Sequence, residues 1–151
     1  MCDDFIHSLK RDHAVSSTRV VGAKFRALNQ LLLERFFAGV KRATGNWVYK
    51  GYRWHAFSFG YQQAVTGEKA FARFQAQEVQ PFYLYYEIKD ELFLCTGISW
   101  PDIRSYSEDI YVFPSDMEWL FVTTHEMSMG LGPYFVSEES GNPKSRLLED
   151  T

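Results

Sequence analysis

The sequence predicts an α+β domain: a largely antiparallel sheet of about five to six strands with N-terminal helices packed on one face. Three observations predict it. Apolar residues recur at spacings of three and four through the first third of the 151-residue chain. Short aromatic-rich runs bounded by turn residues fill most of the remainder. Aromatics make up 17% of the chain, a density that has to be buried or used and is foreign to disordered chains. The length suits one domain, predicted over 1–136, with a polar, frayed tail over 137–151.

The elements follow in order. Asp3 and Asp4 precede Phe5, Ile6 and Leu9, which predicts a short amphipathic helix with acids in its first turn. Ser16-Ser17-Thr18 breaks it and offers a cap for the next. Val21, Phe25, Leu28, Leu32, Phe36 and Val40 then mark one face of a long helix from about Arg19 to Ala43, stopped by Thr44-Gly45-Asn46. Tyr52 to Phe59 reads as an aromatic, alternating strand. Thr66 opens a second helix with Ala70, Phe71 and Phe74 inward. Pro81–Ile88 and Glu91–Thr96 form a hairpin about Lys89-Asp90, and a helical turn starts near Trp100-Pro101-Asp102-Ile103. Asp109–Phe113, Met117–His125 and Tyr134–Val136 supply three further strands. Along Trp119–Glu126, alternation puts His125 on the face of Trp119 and Phe121, and both faces are apolar. A central strand covered on both sides is expected, with His125 as a buried structural residue at its end.

Charge and composition narrow the function. The net charge of −3 is unevenly spread: residues 1–50 hold nine Lys/Arg and four Asp/Glu, whereas 51–151 hold seven and fifteen. A basic helical segment against an acidic sheet domain leaves room for a basic protein partner. It argues against nucleic acid, because the aromatic-rich portion would repel phosphates. The acidic start Met1-Cys2-Asp3-Asp4 lacks a signal-peptide pattern, and no apolar run approaches a membrane span. Two cysteines, Cys2 and Cys95, fit free thiols in a reducing compartment. A cytoplasmic protein without membrane contact is expected.

No cofactor is expected. His125-Glu126 begins like the zinc-protease helix motif, but Met129 stands where the second histidine is needed. Gly130-Leu131-Gly132 lacks the third glycine of a dinucleotide loop, no Walker A sequence is present, and Ser58 has no nucleophile-elbow context. What remains is a long-range constellation. His55, His125 and Glu126 are the residues an enzyme or metal protein would use, against the alternative that each imidazole satisfies buried polar groups. Trp54, Trp119, Met127, Met129 and Tyr134 are the candidate binding residues around the Gly/Pro turn.

Trp54-His55-Ala56-Phe57-Ser58, Asp109-Ile110-Tyr111, Trp119, Thr124-His125-Glu126 and Gly132-Pro133-Tyr134-Phe135 occur in this order. In this the chain resembles a bacterial domain-of-unknown-function family, family 4275, over about residues 52–136. The resemblance implies a small bacterial cytosolic protein with no assigned activity. Three functions stay open. The leading one is a non-catalytic protein-interaction module, inhibitor- or immunity-like. The others are a small-molecule-binding domain with an aromatic pocket near the His-Glu turn, and an enzyme or metal protein using His55, His125 and Glu126.

Overall fold

The computed structural model describes residues 2–137, with side chains from Phe5 onward. Its elements run α1 (Cys2–His13), β1 (Ser16–Val20), α2 (Gly22–Phe36), α3 (Ala38–Thr44), α4 (His55–Ser58), β2 (Val65–Thr66), α5 (Gly67–Gln75), β3 (Phe82–Tyr86), β4 (Glu91–Thr96), β5 (Ile110–Pro114), β6 (Trp119–Thr123) and β7 (Tyr134–Ser137). The α+β class is as predicted. The sheet has seven strands in the order β1-β4-β3-β5-β6-β7-β2, every neighbouring pair antiparallel, rather than five to six.

Period-two alternation explains the layering. Tyr83, Tyr85, Tyr111, Phe113, Leu120, Val122, Tyr134 and Val136 point to one side of the sheet, where Leu32, Leu33, Phe36, Val40, Ala56 and Phe57 of α2, α3 and α4 meet them. Their alternates Phe82, Leu84, Ile110, Val112, Trp119, Phe121 and Phe135 point to the other, under Phe5 and Leu9 of α1 and Ala70 and Phe74 of α5. Helices therefore cover both faces, not one. Strands β3, β5 and β6 carry apolar side chains on both sides, so a single helical layer would leave half of them in water.

Three local readings are corrected. Ser16-Ser17-Thr18 is not a helix cap but edge strand β1, paired with β4 from Ser16 opposite Thr96 to Val20 opposite Leu92. The long helix is two helices. Phe37 leaves helical geometry at φ −126°, ψ 13°, which lets the consecutive Phe36 and Phe37 both be fully buried. Tyr52–Phe59 is no strand but a turn leading into the single turn α4. Its aromatics lie on the sheet face instead of joining the ladder. The β3–β4 hairpin exists, with a wider connection through a 3-10 turn at Glu87–Lys89 and a left-handed Asp90. Ser137 closes β7; the remainder of the predicted tail, 138–151, lies outside the described residues, as does the Cys2 side chain. Cys95 is a buried free thiol. Among the described residues, no helix is long and apolar enough to cross a membrane.

Two stability predictions follow from the packing. Leu32, 1% exposed beneath α2, has no route to water on truncation, so Leu32→Ala should cost about 2–5 kcal/mol in urea unfolding. Gly39 of α3 donates its N–H to Gln62 Oε1 at 2.7 Å, and a Cβ there would stand 2.1 Å from the Tyr61 carbonyl oxygen. Alanine improves helix propensity by about 0.8–1.0 kcal/mol. Forcing backbone apart in a packed core costs about 1–3 kcal/mol. Gly39→Ala should therefore destabilise on balance, and an unchanged or raised unfolding midpoint would show that α3 does not pack this closely.

Candidate functional site

Asp109 is an acid at the head of an otherwise apolar strand, and the residue is 4% exposed. A carboxylate so buried needs hydrogen-bond donors around it, and it has them. Oδ1 accepts from Trp54 Nε1 at 2.9 Å and from the backbone N–H of His125 at 3.0 Å. His125 Nδ1 lies 2.9 Å from both Oδ1 and Oδ2. Because a carboxylate only accepts, Nδ1 must carry the proton, and Nε2 is the free nitrogen of this ring. The Asp109 backbone is held too, its carbonyl accepting from Glu87 N–H at 3.1 Å.

The neighbouring segments are fixed by the same logic. Glu87 receives the Arg53 N–H on Oε2 at 2.9 Å and the Tyr111 hydroxyl on Oε1 at 2.6 Å. Arg53 stacks on the Tyr85 ring at 4.2 Å and donates to its hydroxyl at 3.0 Å. That clamps the residue before Trp54 and sets the indole over Asp109. On the other side, β6 stops at Thr123. Thr124 donates to the Leu131 carbonyl and accepts Glu126 N–H at 3.1 Å, closing the turn that presents His125 and Glu126.

His125 is therefore not the buried strand-end residue that alternation predicts. The strand ends two residues earlier, the phase is lost, and the imidazole swings to the side of Tyr52 and Trp54 with 37% of its side chain exposed. Ring centroids are 5.0 Å apart for Tyr52 and His125, and 5.9 Å for Trp54 and His125. His55 shares both neighbours, at 5.8 Å from Tyr52 and 4.3 Å from Trp54. Its Nδ1 is 3.0 Å from Ser58 Oγ, one helical turn on. Each imidazole is thus anchored through Nδ1, one by a carboxylate and one by a hydroxyl.

These anchors divide the two rings electrostatically. The hydrogen bond to Asp109 raises His125 above the usual histidine range, against a smaller opposing effect of burial. Burial lowers His55, opposed by Glu126 and reinforced by Lys50. Glu126 Oε1 lies 3.7 Å from His125 Nε2 and favours its charged form. The two rings are thus pushed apart, His55 toward its neutral form and His125 toward its charged form, which is the pairing that proton transfer in both directions needs.

Trp54 lies at the site, fully buried, and its indole N–H donates to Asp109. The other candidate binding residues lie elsewhere. Trp119 packs with Trp100, Phe74 and Phe135 on the opposite face of the sheet, and Tyr134 packs against Phe57; both are core. Met129 is 75% exposed, and Met127 lines an open cleft of about 560 Å³ with Gly67, Arg104 and Pro133. Asp109, Tyr52 and Glu87 were not among the site residues expected from sequence. Asp109 entered only through the family motif Asp109-Ile110-Tyr111 and as the acid opening the run Ile110–Phe113. Among the described residues, no three His, Cys, Asp or Glu side chains are arranged to hold a metal ion.

No curated protein and no solved structure matches the chain. A family model described as a domain of unknown function, DUF4275, matches residues 40–135, a span that includes Trp54, His55, Asp109, His125 and Glu126. That span is well over half of the sequence, and the chain belongs to the DUF4275 family.

Proposed function

We propose that this domain is an acid–base catalyst acting on a small molecule, with His55 as general base, His125 as general acid and Asp109 as the residue that orients and charges His125. The observation that carries the reading is the buried Asp109 carboxylate, bonded to Trp54 and to His125 Nδ1, while Nε2 of the part-exposed ring is left 3.7 Å from Glu126 Oε1. A buried structural histidine would satisfy both nitrogens internally. Here a buried anion, an indole and a backbone N–H hold one nitrogen so that the other faces outward, as in hydrolase sites where a carboxylate sets the tautomer of a catalytic imidazole. Glu126 supports the charged state of His125. The protein-interaction reading draws on the charge asymmetry between the two parts of the chain, and the acid–base reading has the more specific support.

In chemical terms, His55 takes a proton from an attacking hydroxyl or water, and His125 Nε2 gives one to the departing atom. Each then exchanges with solvent to reset. Turnover needs His55 neutral and His125 protonated. The pH–rate profile should be bell-shaped, falling on the acid side as His55 charges and on the alkaline side as His125 loses its proton. A panel of small esters, amides and phosphoesters assayed across pH, with His55→Ala and His125→Ala alongside, tests this. Loss of about 100-fold or more in each variant, assayed well below its unfolding midpoint, is the expected result; His125→Ala should also lose about 1–3 kcal/mol of stability, because the buried Asp109 loses a donor. Turnover that survives either substitution would sink it.

Titration of the histidine ring signals by NMR gives a check independent of substrate. His125 should titrate above His55, and Asp109→Asn should bring His125 down toward its usual value. The sign for stability follows from linkage. A raised folded value means that the contribution of His125 is complete below its unfolded value of about 6.5 and is lost as pH rises through the folded one. The stability difference between wild type and His125→Asn should therefore narrow toward alkaline pH. A difference that widens would mean that His125 is bound neutral.

A further inference from the structure

We infer that the ligand of this site is a flat, ring-bearing anion, with its carboxylate or phosphate on Lys50 and its ring against Phe59; the inference rests on the acid–base reading above. Lys50 is the cation that acts on His55. Its Nζ lies 5.3 Å from the Phe59 ring centroid and 5.6 Å from that of Tyr49, and Phe59 in turn lies 5.1 Å from His55. Lysine, aromatic ring and imidazole thus form one continuous surface.

Three further observations point the same way. Lys50 stands at φ 53°, a left-handed conformation that is strained for a lysine, and Gly51 follows at φ 90°. The chain is bent at this point to bring the ammonium over the rings. Among the described residues no carboxylate pairs with Lys50, whereas Arg19, Arg104 and His125 each have one. A lysine that covers aromatic faces without an acidic partner keeps its charge available to a ligand. Finally, Phe59 is 50% exposed although it is packed edge-on against Tyr49, whose other ring neighbour is Tyr61. This gives an apolar platform open to water.

Glu126 opposes Lys50 across the site. It lies 3.7 Å from His125 Nε2 and acts on His55 as well, whereas Lys50 lies over Phe59. An anionic group is drawn to the lysine and repelled by the carboxylate, which keeps it on the Phe59 side of His55. A neutral ring compound gains only the stacking contact, and a cation is directed to the wrong end.

The test uses the whole chain and three probes of one shape: benzoate, phenyl phosphate and the neutral benzamide. Binding is read from the ring signals of His55 and His125 by NMR. Benzoate or phenyl phosphate should shift both histidines saturably, and whichever binds tighter identifies carboxylate or phosphate as the group. Benzamide should bind at least about tenfold more weakly. Lys50→Met should weaken the anion about tenfold while Lys50→Arg keeps it within about threefold, which separates charge from folding. Phe59→Ala should weaken all ring probes together. Equal binding of benzamide, or unchanged anion binding by Lys50→Met, overturns the inference. So does the absence of any anion effect while the two histidines titrate apart, an outcome that leaves the acid–base reading standing. Histidines that titrate together overturn that reading and this inference with it.

Discussion

A buried carboxylate has few tolerable surroundings, and Asp109 organises the domain around that fact. Desolvating its charge costs several kcal/mol unless donors replace the lost water. The donors come from distant parts of the chain: an indole from the turn before α4, and a backbone N–H and an imidazole from the end of β6. Removing any one of them leaves an acceptor unsatisfied in a low-dielectric setting. The arrangement is therefore all-or-none in character, and it ties the helical layer on one face of the sheet to the strand ends at its rim.

The scaffold beneath shows why this site can be rigid. Strands β3, β5 and β6 are packed on both faces, so their ends are fixed in space before any loop is considered. Asp109 immediately precedes β5 and His125 lies two residues past β6, neighbouring antiparallel strands. The carboxylate–imidazole geometry thus inherits the precision of the sheet. A second polar layer below it, made of Glu87, Tyr111, Arg53 and Tyr85, extends this order to the Trp54 segment. Burial raises both Glu87 and the Tyr111 hydroxyl; the tyrosine keeps its proton and donates it to Glu87 Oε1, and that hydrogen bond together with Arg53 favours the charged form of Glu87.

Much of the fold was legible in the sequence because alternation and helical spacing are local signals. The apolar faces of α2, α5 and the central strands follow from them directly. What was not legible depended on long-range context. Ser16–Val20 looks like a helix-breaking stretch and becomes a strand because β4 offers an open edge. Tyr52–Phe59 alternates like a strand, but Glu87 takes the Arg53 N–H and Asp109 takes the Trp54 indole, so no ladder forms. The helix over 19–43 breaks at Phe37 because two adjacent phenylalanines both need the core. At the site, His55 and His125 were visible as residue types. Their convergence was not, since it depends on where β6 ends, and a two-residue shift in that end moves His125 from core to surface. Asp109 stood in the motif Asp109-Ile110-Tyr111, but nothing local set its role apart from that of the other eighteen acidic residues, because its burial depends on the sheet order.

The separation of the site's parts along the chain has a kinetic consequence. Asp109 and His125 are 16 residues apart and meet through a local strand pair, whereas Trp54 is 55 residues from Asp109. Closing a longer loop carries a larger entropic cost, and the ends of such loops come together after local pairings are in place. The carboxylate–imidazole half of the site thus assembles with the β5–β6 pair, and the indole arrives afterwards. The same separation bears on the native state. The 52–59 segment has no place in the sheet ladder and is held by the burial of Trp54, Ala56 and Phe57 and by the Glu87 and Asp109 carboxylates. Detaching it would give up all of these at once, so Trp54 and His55 stay in place as long as the sheet does.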